Sequence, residues 1–147
     1  MTAATFTIQS FPFSDHAHAA AALALRQAVF VREQGIDPAL EYDDHDAAAR
    51  HYLVYHGPEP VATARWRETE KGIKLERFAV LADYRRHGLG ARLLAAVLKN
   101  VLPLQKTVYL HAQESAVSFY ERNGFVKAGD AFTEAGIVHW FMKYGKG

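Results

Sequence analysis

The chain has 147 residues, half of them hydrophobic, with seventeen Lys and Arg against sixteen Asp and Glu. That length fits one domain spanning residues 1–147 with a sizeable core, and a net charge of +1 supplies no basic field of the kind that draws in nucleic acid. There is no cysteine, which excludes disulfides, thiolate metal sites and a cysteine nucleophile.

Met1 to Ser10 lacks a basic segment followed by a long apolar run, so no signal peptide is expected. The alanine-rich stretch Ala17 to Leu25 is interrupted by His18 and followed by Arg26, too short to span a bilayer. A soluble, cytoplasmic protein without a membrane or nucleic-acid partner is the expectation. Thr5 to Phe11 alternates loosely and reads as a first strand. Ser14 or Asp15 can cap a helix running through the alanines to about Glu33, with Ala22, Leu25 and Val29 at helical spacing. Asp37 to Asp46 reads as an acidic loop containing Pro38. Three strands follow closely, at His51 to Tyr55, Val61 to Arg67 and Lys74 to Leu81, with turn signals at Gly57-Pro58 and Lys71-Gly72.

From Gly88 the period changes. Leu89, Leu93, Leu94, Val97, Leu98 and Val101 fit one face of a helix that Pro103 ends. Thr107 to His111 is a short strand, Ser115 to Asn123 a helix closed by Gly124, and Ile137 to Met142 a final strand. A meander followed by alternating strands and helices predicts an α/β fold with one mixed sheet flanked by helices.

The stretch from Lys74 to Leu98 carries the chemistry. A strand ends, a short turn follows, and a helix begins at Gly88 and Gly90. A helix N-terminus offers unpaired backbone N–H groups and a partial positive charge. Glycines there let the backbone approach an anion closely, and Arg85 and Arg86 add charge-assisted donors. This pattern points to a phosphate or pyrophosphate ligand, against the plainer reading of a glycine turn that only starts a helix. A P-loop needs Lys and Ser or Thr after its last glycine, where Ala91-Arg92 stands. A dinucleotide fingerprint wants a small residue where Leu93 stands.

Two blocks carry a family resemblance. Arg85-x-x-Gly88-x-Gly90 lies at a strand-to-helix turn, and Ala116-Val117-Ser118-Phe119-Tyr120-Glu121-Arg122-Asn123-Gly124-Phe125 follows at the expected distance. Together they resemble the GCN5-related N-acetyltransferase (GNAT) superfamily over nearly the whole chain. Val29 to Gln34 and Ala135 to His139 look like the small bacterial ElaA/YjcF-like branch. The resemblance implies a splayed central sheet and acetyl-CoA as acyl donor, with no metal. It also implies direct transfer to an amine, either a small molecule or a protein lysine. Proteins of this superfamily often dimerise.

The resemblance also assigns roles. Phe78, Ala79 and Val80 would pair their backbone with the pantetheine arm. Arg85, Arg86, His87, Gly88, Leu89, Gly90 and Ala91 would hold the pyrophosphate. Tyr120 matches the general acid, a phenol of pKa ~10 suited to protonating a departing thiolate near ~8.5. Gln113 stands where many members carry a cofactor-contacting Asn. Two groups compete as general base. Glu76 sits two residues before Phe78 and so would share its strand face. His139 brings an imidazole, a side chain whose unperturbed pKa of ~6.5 suits a base near neutral pH. Each also has a structural reading, as an ion-paired strand glutamate or a packed histidine.

The run Asp37, Glu41, Asp43, Asp44 and Asp46 fails an EF-hand template, since Ala48 and Ala49 occupy its fifth and sixth positions counted from Asp44. It is open between a solvated loop and a negative field that concentrates protonated amines, polyamines above all. Two other functions stay open at this stage: a non-catalytic acyl-CoA sensor and an acyl-homoserine-lactone-synthase-like acyltransferase.

Overall fold

The computed structural model of the chain describes residues 5–145. Seven strands form one sheet in the order β1-β2-β3-β4-β5-β7-β6. They are β1 (Phe6–Pro12), β2 (Arg50–His56), β3 (Glu59–Thr69), β4 (Gly72–Val80), β5 (Val108–Gln113), β6 (Phe125–Glu134) and β7 (Ile137–Tyr144). Every neighbouring pair is antiparallel except β4 and β5. The mixed, helix-flanked sheet expected from the sequence is therefore present. None of the described helices is long and apolar enough to cross a membrane.

Helix α1 (His16–Arg26) begins where Asp15 accepts a hydrogen bond from the His18 N–H, one of the donors a helix start leaves orphaned. It continues as a π-helical segment, Gln27–Glu33, and the short helix α2 (Pro38–Glu41) follows, capped by Asp37. Helix α3 (Leu89–Val101) buries Leu89, Leu93, Leu94, Val97, Leu98 and Val101, the six positions its periodicity predicts. Burying such a side chain contributes ~1.5–3 kcal/mol, so this stripe fixes α3 against the sheet. It packs there with Tyr52, Val54, Ala62, Ala64, Ile73, Leu75 and Leu110. Helix α4 (Val117–Arg122) lies on the same side, with Val117 and Tyr120 in that core. Leu53, on the other sheet face, packs with Ala19, Ala22 and Leu25 of α1.

Two departures from the sequence reading matter for the site. First, β6 is a full strand that no periodicity announces, because eight of its ten residues are exposed and its register slips between Lys127 and Ala131. Second, β4 carries an extra residue. Thr63 and Arg65 of β3 oppose Ala79 and Glu76, so two residues on β4 face one on β3, and Arg77 there takes the left-handed conformation with φ 59°. A bulge of this kind resets the alternation of side chains. Phe78 packs in the α3-side core and Ala79 packs with Val29 and Phe30 of the π-helical segment. Glu76 instead points to the α1 side, toward Arg65 and Arg67. The expectation that Glu76 and Phe78 share a face is corrected by this one-residue insertion.

Candidate active site

Strands β4 and β5 pair only at Ile73–Val108, Lys74–Tyr109 and Leu75–Leu110. Beyond Leu75 they part, and a cavity of about 760 Å³ opens through the sheet. One half lies on the α3 side, where Phe78, Val80, Gly90, Leu93, Phe119 and Tyr120 line it. The other half lies on the α1 side and is lined by Arg67, Lys74, Glu76, His111, Glu134 and His139.

At the α3 end the glycine loop has the features its sequence implies. Gly88 is the N-cap of α3 at φ 73°, with no side-chain cap and no acidic residue in the first turn. The Arg92 N–H is the first bonded within the helix, to Gly88, which leaves the amides of Leu89, Gly90 and Ala91 without partners in the helix. Gly90 packs closely: a Cβ there would meet the Phe119 ring at 3.3 Å and press it aside by a few tenths of an ångström. Arg85 and Gly90 line the cavity. Arg86, His87 and Gly88 are exposed and do not, and the Leu89 side chain is buried in the core. Arg85 is engaged by Glu33 of the π-helical segment, at 2.6 and 2.8 Å, and donates to the Val80 carbonyl. Gln113 donates to Gln34 at 2.9 Å. The end of the π-helical segment thus touches both lips of the opening.

Tyr120 sits on α4 with its ring in edge contact with Phe78, Phe119 and Phe125. Burial pushes its phenol well above the ordinary value, because the charged phenolate is poorly solvated there. Its hydroxyl is therefore a proton donor throughout the neutral range.

Glu76 is held by three cations. Arg67 Nε donates at 2.7 Å, Arg65 Nε at 3.2 Å, and Lys74 Nζ lies 3.1 Å away. Burial works against ionisation, but Arg67, Arg65 and Lys74 outweigh it and hold the carboxyl at about 2. Such a carboxylate is a feeble acceptor for an ammonium proton, so the general-base expectation for Glu76 is weakened by its own ion pairs. In His139, Nδ1 lies 2.8 Å from the Ile137 carbonyl. A carbonyl can only accept, so Nδ1 carries the proton and Nε2 is the bare nitrogen of the neutral ring. Nε2 lies 3.7 Å from Glu134.

Three of the five acids in the run are committed elsewhere. Glu41 and Asp46 both accept from Arg26, and Asp46 also accepts from Arg65 at 2.6 Å. Asp43 accepts from Arg65 and Arg77, and Arg77 Nε lies 2.6 Å from Glu41 as an ion contact off the hydrogen-bonding axis. Glu41 and Asp46 are buried. The amine-gathering field read from the run is corrected for Glu41, Asp43 and Asp46, which neutralise arginines of the sheet and of α1, while Asp37 caps α2. Glu76 and Asp46 are both held below their ordinary values, so their stabilisation is present above the ordinary carboxyl range and is lost as pH falls. For Glu76 the loss runs from about pH 4.5 to about 2 and is on the order of 3 kcal/mol. Chemical-denaturant titrations across that window check it, and Glu76→Gln is expected to flatten the dependence.

The family model described as acetyltransferase (GNAT) domain matches residues 16–146. The chain belongs to the GNAT acetyltransferase family, whose general chemistry is acyl-CoA-dependent acyl transfer. It falls in the ElaA/YjcF-like branch. It is 37% identical over 125 residues to the uncharacterized protein YyaT of Bacillus subtilis (strain 168), covering 82% of this chain and 84% of the relative. It is 36% identical over 123 residues to the uncharacterized N-acetyltransferase YjcF of the same organism, covering 82% and 88%. The crystal structure of Escherichia coli ElaA superposes with a TM-score of 0.85 at 28% identity, covering 94% of this chain and 99% of that one.

The side chains that sequence reasoning missed are Arg67, Lys74, His111 and Glu134. Each is an ordinary polar residue in a strand, and only the cross-strand register brings them to one opening. Glu33 and Gln34 were visible only as part of the family-like segment.

Proposed function

We propose that the protein is an acetyl-CoA-dependent N-acetyltransferase that transfers directly to an amine. The observation that carries this reading is the parted β4–β5 pair: its cavity runs from the uncapped first turn of α3 past Tyr120 to the α1 side of the sheet. Acetyl-CoA supplies a thioester whose carbonyl carbon the amine attacks, the C–N bond forming as the C–S bond breaks. The amides of Leu89, Gly90 and Ala91, with Arg85 and Arg86 beside them, hold the pyrophosphate, and the loop through His87 and Gly88 gives the backbone its approach. The unpaired edge at Phe78, Ala79 and Val80 takes the pantetheine, and its N–H groups polarise the carbonyl. Gln113 borders the same edge. Tyr120 gives its proton to the leaving sulfur. His139 Nε2 takes the proton of the amine, beside the Glu134 carboxylate, while Glu76 orders Arg67 and Lys74.

Saturating acetyl-CoA, at about 100 times its dissociation constant, is expected to stabilise the fold by ~2.7 kcal/mol, seen as a raised melting temperature. Gly88→Val is expected to remove the shift. A Cβ at Gly88 meets nothing within 4 Å, so the loss comes from forcing a β-branched residue into the left-handed conformation. No shift in the parent protein overturns the reading.

A further inference from the structure

The α1-side half of the cavity carries chemistry that an acceptor consisting of a bare amine does not require. The ion-pair network behind it joins five cations, Arg26, Arg65, Arg67, Lys74 and Arg77, to four carboxylates, Glu41, Asp43, Asp46 and Glu76. These cations outnumber the network's own carboxylates by one, a charge that Glu134 across the opening feels through Lys74, so what this wall offers is unspent donors and not a large net charge. Arg26 and Arg65 are 1% and 0% exposed and are closed off. Arg67 and Lys74 are 18% and 14% exposed and line the cavity. Both are held by the same carboxylate, Glu76, Arg67 Nε on Oε1 and Lys74 on Oε2, and they stand opposite each other in the β3–β4 register. Each keeps donor protons that Glu76 cannot satisfy.

Arg77, Glu41 and Asp43 also line this half but are spent on one another, and the polar groups left across the opening are His111, His139 and Glu134. Glu134 is half-exposed and engaged by His111 at 3.3 Å. It lies across the opening, on the β6 side of the histidines. The face is therefore polarised, with a fixed, partly desolvated cation pair on the β3–β4 side and a carboxylate with two imidazoles on the β5–β7–β6 side.

We infer that the acceptor is an amine bearing its own anionic group, a carboxylate or a phosphate, which Arg67 and Lys74 bind while the amine is directed to His139 and the parted strands. This rests on the acetyltransferase reading above and specifies its substrate class. It is the reverse of the polyamine reading of the acidic run, since Glu41, Asp43 and Asp46 are occupied by arginines. A guanidinium and an ammonium on paired strand positions, in a cleft from which water is partly excluded, give charge-assisted hydrogen bonds roughly twice as strong as neutral ones. A polycation placed there meets like charge.

The test compares matched pairs. An α-amino acid is set against its carboxamide, phosphoethanolamine against ethanolamine, and spermidine serves as the polycation. Release of CoA gives kcat/KM, and calorimetric titration of the same compounds into CoA-saturated protein gives affinities that do not depend on turnover. The acidic member of at least one pair is expected to exceed its neutral partner at least tenfold by both readouts, and the pair with the larger ratio identifies the anionic group. Raising salt is expected to shrink the ratio. Arg67→Gln combined with Lys74→Gln is expected to bring it to near one, with the acetyl-CoA melting shift retained as the sign of a folded cavity. Equal or inverted ratios, spermidine as the best acceptor, or no binding of either member of both pairs overturns the inference. The acetyltransferase reading fails separately, by the absence of an acetyl-CoA melting shift in the parent protein.

Discussion

Tyr120→Phe is expected to lower kcat by roughly 10²–10⁴-fold, the usual contribution of a positioned general acid, while leaving acetyl-CoA affinity close to that of the parent. The ring survives the change. Its edge contacts with Phe78, Phe119 and Phe125, at centroid distances of 6.3, 5.1 and 5.7 Å, are made by carbon and remain. Only the hydroxyl is lost, and its service is confined to the step in which the sulfur departs. An interaction made in the transition state and not in the ground state lowers kcat when removed and leaves binding alone. Burial adds a second consequence. By disfavouring the phenolate, it keeps the donor charged with its proton at neutral pH and obliges the phenolate left behind to recover a proton before the next turnover. Steady-state kinetics alongside the acetyl-CoA melting shift check both halves. A variant that turns over within about threefold of the parent removes Tyr120 from the chemistry.

Much of this site was legible in the sequence because its signals are local. The α3 stripe is periodic over thirteen residues, and a glycine at the start of such a stripe marks a turn whatever lies around it. The remainder was written in long-range partners. Whether Asp46 is a solvated charge or a buried one depends on Arg26 and Arg65, twenty and nineteen residues away, and nothing next to Asp46 declares them. The bulge at Arg77 is a mismatch between two strands and belongs to neither alone. A strict alternation read along β4 therefore put Glu76 on the wrong face. β6 escaped for a related reason. It is an edge strand with most of its side chains in solvent, so β7 and not its own pattern defines it. A run of acids thus carries opposite meanings according to its partners, and here Glu41, Asp43 and Asp46 serve the arginines behind the site and not an incoming amine.

That same network makes Arg65 the side chain whose loss is expected to cost most. Arg65→Met is expected to destabilise the protein by about 3–5 kcal/mol, the range for removing one partner of a buried ion pair. Its guanidinium is fully buried and bonds Asp43, Asp46 and Glu76 at once. Methionine follows much of the path of the aliphatic stem, so packing changes little. The cost arises because three carboxylates in a poorly solvating region lose a shared counter-charge. Arg26, Arg77, Arg67 and Lys74 still compensate part of it, which keeps the loss below that of an isolated buried charge. The mechanism has a signature that a simple packing defect lacks. In the parent, these carboxyls resist protonation, and stability falls as pH drops toward about 2. In Arg65→Met they accept protons more readily, and protonation removes the unpaired charge that destabilises the variant. The gap between the two proteins is therefore expected to be widest near neutral pH and to narrow steadily below about pH 4. Denaturant midpoints measured for both proteins across that range decide it. A gap that stays constant with pH would show that Arg65 acts through its stem and not through its charge.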